Sequence, residues 1–358
     1  MSVLARVRPD LAQFSAYASA RRSGFNAHIR LDANESPWDR NGNEDDPAAN
    51  LNRYPSPQPE ALRARLAQIH GVDTQRLWLG RGSDEAIDLL LRAFCRAGRD
   101  NVVAPTPTFG MYRVGAQLQG AQFRTLALSA DDDFALDPDK LLALVDADTK
   151  LVIVCSPNNP TGTLYHGDAI DRLAGSLAER ALLLVDEAYI EFADVASASE
   201  LIDRHANLAV LRTLSKAHAL AGARIGALIA REEIIDLVGR IAAPYPLPTP
   251  SVAAALAALS PESLIQTQAR IVTLVAERER VVRELAACTG VRKVWPSAGN
   301  FVLARFVDAQ ATFARLLDAG ILVRDVSAQP GLAQCLRITI GTATENTALL
   351  DVLVGAKP

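Results

Sequence analysis

Five lysines stand against thirty-two arginines in the 358 residues, so the position of each lysine carries information. Lys216 lies in the stretch A-V-L-R-T-L-S-K-A-H-A-L-A-G-A-R-I-G, after the apolar run Ala209 to Leu211 and a polar turn holding Thr213 and Ser215. An arginine stays protonated, whereas a lysine in a partly desolvated site can lose its proton and attack a carbonyl. Ser-Lys alone would read as a solvated loop. Arg224, eight residues on and flanked by Gly222 and Gly226, changes that reading. Hydroxyls, a guanidinium and open backbone together suit a phosphate held beside the lysine.

A second stretch has the same character. Leu77-Trp78-Leu79 reads as a short strand, Gly80-Arg81-Gly82-Ser83-Asp84-Glu85 as a turn, and Ala86 to Phe94 as a helix. Strand, glycine turn and helix start collect a phosphate through free N–H groups and the helix dipole, with Ser83 as N-cap or direct donor. The dinucleotide fingerprint is weakened, because Glu85 occupies the place of its third glycine. Asp186 directly follows the apolar run Leu182 to Val185, where an unpaired carboxylate would be costly, so a cationic partner is expected. Phe109, after the turn Pro105-Thr106-Pro107-Thr108, is either a packing residue or a face for a flat ring.

The elements that must position these residues alternate. Strands at 77–79, 102–104, 151–155, 182–185 and 208–212 are separated by helical stretches, which predicts an α/β fold with a mostly parallel sheet flanked by helices. Ligands in such sheets bind beyond the carboxyl ends of the strands, where these polar residues lie. A helix is expected from Pro59 to His70, stopped by Gly71. Leu31 to Pro37 reads as a strand end and turn, and Asn41 to Asn50 as a turn-rich acidic segment. Past the prolines at 244, 246, 248 and 250, Ser260 caps a long helix with Pro261 at its first position, and apolar spacing carries it toward Gly290. Strand candidates Phe301–Phe306, Ile321–Val323 and Leu336–Ile340 around a helix near Ala311–Ala319 predict a smaller α+β lobe. The expected division is an arm with part of the small domain at 1–50, a large domain at 51–250, a connector helix at 251–290 and a small domain at 291–358.

Composition narrows the class. The chain is 49% hydrophobic and 22% charged, enough to bury a sizeable core. A net charge of -4 gives no electrostatic case for nucleic acid. Cys95, Cys155, Cys288 and Cys335 are scattered without C-x-x-C spacing, which indicates neither disulfides nor a metal site and suits a reducing cytoplasm. The longest uncharged run, Ile241 to Pro261, is broken by prolines, so no membrane span is expected.

The motif S-K-A-H-A-L-A-G-A-R-I-G resembles the cofactor-lysine motif of the pyridoxal-phosphate-dependent aminotransferases of fold type I. Within them the chain is most similar to the histidinol-phosphate aminotransferases. Ala33-Asn34-Glu35, Asn52-Arg53-Tyr54-Pro55, Arg81 to Glu85, Ser156 to Gly162, Val185 to Phe192, Pro244-Tyr245-Pro246-Leu247 and Cys335 to Thr342 match in order.

The resemblance implies pyridoxal 5'-phosphate on Lys216, with Asp186 on the ring nitrogen and Asn159 and Tyr189 on the phenolic oxygen. It places Phe109 against the ring, Ser83, Thr213, Ser215 and Arg224 around the phosphate, and Asp84 among the cofactor-binding residues. It further implies a homodimer, with Tyr54 reaching the partner's phosphate, and substrate contacts from Tyr17, Asn34, Arg324 and Arg337. The implied reaction exchanges L-histidinol phosphate and 2-oxoglutarate with imidazole-acetol phosphate and L-glutamate. An aromatic aminotransferase or an amino-acid-phosphate decarboxylase would keep the same cofactor residues, and a non-catalytic regulator would need a DNA-binding module that the sequence does not display. Phe109 stands where the family often has tyrosine, His218 where phenylalanine is usual, and Ser83 where a small residue varies.

Overall fold

The computed structural model describes residues 3–11, 14–15, 29–38 and 51–354. Tyr17 and the Asn41 to Asn50 segment lie outside these residues, and the 31–37 segment forms bends without a strand.

The large domain begins with α1 (Glu60–His70), closed by Gly71 in the left-handed conformation (φ 64°) as expected. β1 (Leu77–Gly80) and α2 (Ser83–Phe94) follow, then β2 (Asn101–Thr106), α3 (Met111–Leu118), β3 (Gln122–Ala127), α4 (Pro138–Leu142), β4 (Thr149–Cys155), α5 (Gly167–Ser176), β5 (Leu182–Asp186), β6 (Leu208–Thr213), β7 (Gly226–Ala230) and α6 (Glu232–Ile241). The sheet order is β1-β7-β6-β5-β4-β2-β3. β5 is buried along its whole length and β4 and β6 nearly so, because helices cover both faces of the sheet.

Two features depart from the sequence reading. β7, which that reading does not contain, runs antiparallel between β6 and β1, so β1 has no parallel neighbour. Its five buried residues continue the motif that carries Lys216, and a run that short does not separate a strand from a helical segment by periodicity. A short helix absent from that reading, α7 (Thr249–Ala258), follows the prolines, with Pro250 in its first turn, where no N–H is needed.

The connector α8 (Pro261–Ala286) has Ser260 Oγ accepting from the Ser263 N–H, as the capping pattern predicts, and it ends before Gly290. Beyond it, β8 (Val291–Val294), β9 (Phe301–Phe306), α9 (Ala309–Asp318), β10 (Arg324–Asp325), β11 (Cys335–Thr339) and α10 (Ala343–Val354) form a second layer, with an antiparallel sheet ordered β10-β11-β9-β8. Ile321–Val323 is not a strand. The Ile321 N–H still bonds the Leu316 carbonyl while Gly320 turns at φ 79°, so extended pairing starts only at Arg324.

The two domains meet at fixed contacts. Arg278 of α8, 8% exposed, donates from Nη1 to the carbonyls of Phe192 (3.2 Å) and Gly299 (3.0 Å). A Cβ on Gly162 would stand 2.4 Å from Ser297 Oγ, and the Ala298 N–H bonds the Gly162 carbonyl at 2.8 Å. The loop after β4 is thereby clamped to the small domain.

Candidate active site

The ends of β4, β5 and β6, the start of α2 and the loop before α3 converge on a cavity of about 120 Å³. Ser83, Asp84, Phe109, Asn159, Asp186, Tyr189, Thr213, Ser215, Lys216 and Arg224 all line it, so the structure brings together ten of the residues singled out from sequence.

One end of the cavity is a small polar cup. Thr213 Oγ1 donates to Ser215 Oγ at 3.0 Å and accepts from the Ser215 N–H at 3.1 Å. Arg224, itself left-handed (φ 55°), reaches Ser215 Oγ at 3.4 Å and Asp84 Oδ2 at 3.2 Å. Glycine is required on both sides of this cup. A Cβ on Gly82 would lie 2.6 Å from Arg224 Nη2, and one on Gly226 would lie 2.3 Å from the Ser83 nitrogen. The expectation that Ser83 is the N-cap is corrected: Gly82, at φ 80°, holds the cap position without a side-chain bond, and Ser83 is the first helical residue.

The other end is set by Asp186, 3% exposed at the end of β5. Its Oδ2 accepts from the Tyr112 O–H at 2.6 Å and its Oδ1 from the Ala188 N–H at 3.1 Å. The cation expected beside it is not supplied by an ion pair with any described side chain. Burial therefore dominates and pushes the carboxyl up to about 6, against the Tyr112 and Ala188 hydrogen bonds that pull it down. Tyr112 is absent from the sequence reading. Its spacing of one helical turn from Phe109 is the signal that could have found it, and the two rings meet edge to face at 5.5 Å.

Lys216 opens into the cavity, and its side-chain amine has no hydrogen bond or ion pair among the described residues. Its Nζ lies 5.5 Å from the centre of the Tyr189 ring. Desolvation first, then the charge of Arg337, holds the amine below the usual lysine range, and Asp186 opposes this. The Tyr189 hydroxyl accepts from Asn159 Nδ2 at 3.0 Å, and Asn159 Oδ1 accepts from Arg337 Nη1 at 2.6 Å.

Arg337 on β11 and Arg324 on β10 are direct cross-strand partners, so their side chains share one face of the small sheet. Neither forms an ion pair among the described residues, and Arg337 Nε is buried without a partner. Burial and the charge of Arg324 lower the Arg337 pKa, while Tyr189 opposes this. Two guanidiniums without a carboxylate make a place for an anion.

Tyr54 and Asn34 stand apart from the cavity lining. Tyr54, 51% exposed, stacks on Tyr245 with ring centroids 4.6 Å apart. Asn34 is exposed at φ 54°, and the adjacent Glu35 accepts from the Tyr54 N–H at 2.6 Å and from Arg53 at 3.0 Å.

A buried carboxylate lacking its cation, an unpaired lysine and a hydroxyl-lined cup with an arginine match, in order, a protonated ring nitrogen, an aldehyde and a phosphate. These residues fit pyridoxal 5'-phosphate.

The chain belongs to the class I and II aminotransferases, whose family model, described as "Aminotransferase class I and II", matches residues 35–353. Within that class two relatives of about 50% identity carry one name. A protein named histidinol-phosphate aminotransferase from Stenotrophomonas maltophilia (strain R551-3) is 50% identical over 353 residues, 98% of this chain and 96% of its own. One of the same name from Xanthomonas campestris pv. campestris (strain ATCC 33913) is 51% identical over 354 residues, 98% of this chain and 97% of its own. The crystal structure of histidinol-phosphate aminotransferase from Sinorhizobium meliloti in complex with pyridoxal-5'-phosphate superposes with a TM-score of 0.76 at 29% identity, covering 85% of this chain and 82% of that one.

Proposed function

We propose that this protein is a pyridoxal-phosphate-dependent aminotransferase of histidine biosynthesis, interconverting L-histidinol phosphate and 2-oxoglutarate with imidazole-acetol phosphate and L-glutamate. The observation that carries the substrate reading is the Arg324–Arg337 pair, two guanidiniums on neighbouring strands without a carboxylate partner among the described residues, with Arg337 close enough to depress the Lys216 amine. Histidinol phosphate has no α-carboxylate, whereas glutamate has one, so one pocket must take a phosphate monoester and a carboxylate in turn. Forked guanidinium contacts suit both.

The bound cofactor supplies an electron sink for the carbanion formed when the substrate's α-proton leaves. The chain's own residues do the rest. The Lys216 amine, held below its usual range and without a hydrogen bond or ion pair among the described residues, would hold the aldehyde and would carry the substrate's α-proton. Asp186 would hold the ring nitrogen protonated, Asn159 and Tyr189 would bind the phenolic oxygen, and Phe109 would stack on the ring. Ser83, Thr213, Ser215 and Arg224 would hold the phosphate together with the backbone of the α2 start, and Asp84 would belong to the cofactor site through its ion pair with Arg224.

We further assign a homodimer in which Tyr54 acts on the partner's phosphate, with Tyr17 and Asn34 near the substrate. An exposed tyrosine held by stacking and by the Glu35 contact, outside its own cavity, supports that reading. The division at 1–50, 51–250, 251–290 and 291–358 and a cytoplasmic location belong to the same proposal. No helix among the described residues is long and apolar enough to cross a membrane, and no group of metal-binding side chains occurs among them.

The test is a comparison of amino donors. Histidinol phosphate should exceed phenylalanine and unphosphorylated histidinol in kcat/KM, with 2-oxoglutarate as acceptor. Equal turnover of phenylalanine would replace the assignment with an aromatic aminotransferase. For the dimer, mixing inactive Lys216→Ala and Tyr54→Phe protomers should yield hybrids with one intact site and regained activity, and an active monomer in sedimentation would overturn it.

A further inference from the structure

Tyr112 is fully buried in α3, and its hydroxyl lies 2.6 Å from Asp186 Oδ2. A phenol in such a place needs a partner, and a core tyrosine could take any convenient acceptor. Here the acceptor is the one buried carboxylate of the cavity, and Tyr112 is the only side chain that donates to it among the described residues. The groups facing Asp186 divide clearly. The Ala188 N–H and Lys216 favour its ionised form, Asp84 disfavours it, and Cys155 is its register partner on β4. Burial and the charge of Asp186 raise the Tyr112 pKa well above the usual value, so the phenol remains the donor.

We propose that Tyr112 is a positioning residue, which keeps Asp186 ionised and oriented so that the proton the carboxylate shares with the cofactor's ring nitrogen rests on the nitrogen. The inference rests on the cofactor reading above. A carboxylic acid beside a neutral ring nitrogen and a carboxylate beside a protonated one carry the same number of protons. A charge-assisted hydrogen bond to the carboxylate favours the second arrangement over the first. The shift expected from one such bond is roughly ten- to a hundredfold in that equilibrium. The same ring meets Phe109 edge to face, so one helical turn would brace both the ring-nitrogen partner and the stacking face.

The test uses the holoenzyme loaded with cofactor labelled with ¹⁵N at the ring nitrogen. The wild type should give a pyridinium-like shift. Tyr112→Phe, which keeps the ring and removes the donor, should move it toward neutral pyridine and slow exchange of the substrate α-proton about tenfold or more, with cofactor affinity less affected. A second arm places 3-fluorotyrosine, a stronger donor of nearly the same size, at position 112. In the cofactor-free full chain the Asp186 carboxyl, followed by ¹³C resonance, should titrate lower with 3-fluorotyrosine and higher with phenylalanine than in the wild type.

If Tyr112→Phe fails to fold, the fluorinated arm decides alone, and an unmoved Asp186 titration there overturns the proposal. An unchanged ¹⁵N shift and proton-exchange rate in a folded Tyr112→Phe also overturns it, leaving Tyr112 a core residue. A wild type that binds no cofactor at all would instead sink the cofactor reading.

Discussion

Arg337 of the small domain donates from Nη1 to Oδ1 of Asn159 in the large domain at 2.6 Å, and the same amide donates to the Tyr189 hydroxyl at 3.0 Å. One side chain therefore joins the anion-binding face to the group assigned to the cofactor's phenolic oxygen. Asn159 holds Nη1, whereas Arg337 Nε has no partner and is left for an anion. Arg337→Ala should impair both half-reactions, by roughly ten- to a hundredfold in kcat/KM for a lost charge-assisted contact of about 1.5–3 kcal/mol. Arg324→Ala should harm the phosphate-bearing substrate more than glutamate, because a dianion uses a second cation better. Equal losses for the two substrates in single-turnover measurements would contradict that division.

Lys216 should be the point of covalent attachment. Borohydride reduction and peptide mapping should place the cofactor on it, and a label on another lysine would refute the assignment. Lys216→Ala should retain cofactor through Asp186 and the phosphate cup while losing turnover by roughly a thousandfold or more, since nucleophile and base go together.

Asp186 makes the stability of the cofactor-free protein pH-dependent. Its folded pKa, pushed up to about 6 from 3.8, exceeds the unfolded value, so the folded state binds the extra proton between these limits. Stability contributed by the protonated form is complete below the unfolded value and is lost as pH rises through the folded one. At pH 8 cofactor-free Asp186→Asn should be more stable than the wild type, by an amount on the order of 2–3 kcal/mol. Added cofactor should reverse that order, because only the carboxylate can pair with a protonated ring. Denaturant melts of both proteins at pH 5 and 8 would check it, and a wild type whose stability rises across this window relative to the variant would refute it.

Arg278 is expected to matter for stability without touching substrate. Arg278→Ala leaves the Phe192 and Gly299 carbonyls short of a donor, and should cost about 1–3 kcal/mol in urea unfolding. A change under about 0.5 kcal/mol would mean that both carbonyls recover partners.

Much of the site was legible because its residues sit at the carboxyl ends of apolar runs. Leu182 to Asp186 and Leu208 to Thr213 announce buried strands, and the polar residue that ends each is the one that lines the cavity. What was not legible depends on tertiary closeness. Tyr112 reads as one more aromatic until Asp186, far along the chain, is seen against its hydroxyl. β7 reads as the tail of a motif until β1 is found beside it. The misplaced strand at Ile321–Val323 shows the limit of apolarity as a guide, since a helix-closing turn claims those residues first.

The pairing of β1 with β7 also bears on the order in which the protein can be made. β1 ends at Gly80, and its sole strand partner among the described residues begins at Gly226. On the ribosome the chain emerges from its amino end, so β1 waits without a strand partner while the β2 to β6 segment is synthesised. The phosphate cup, which needs Gly82 and Gly226 back to back, does not exist in a nascent chain until residue 230 has cleared the exit tunnel. Cofactor capture is therefore a late event in the life of each new molecule, and a chain released early would expose an edge strand rather than a half-working enzyme.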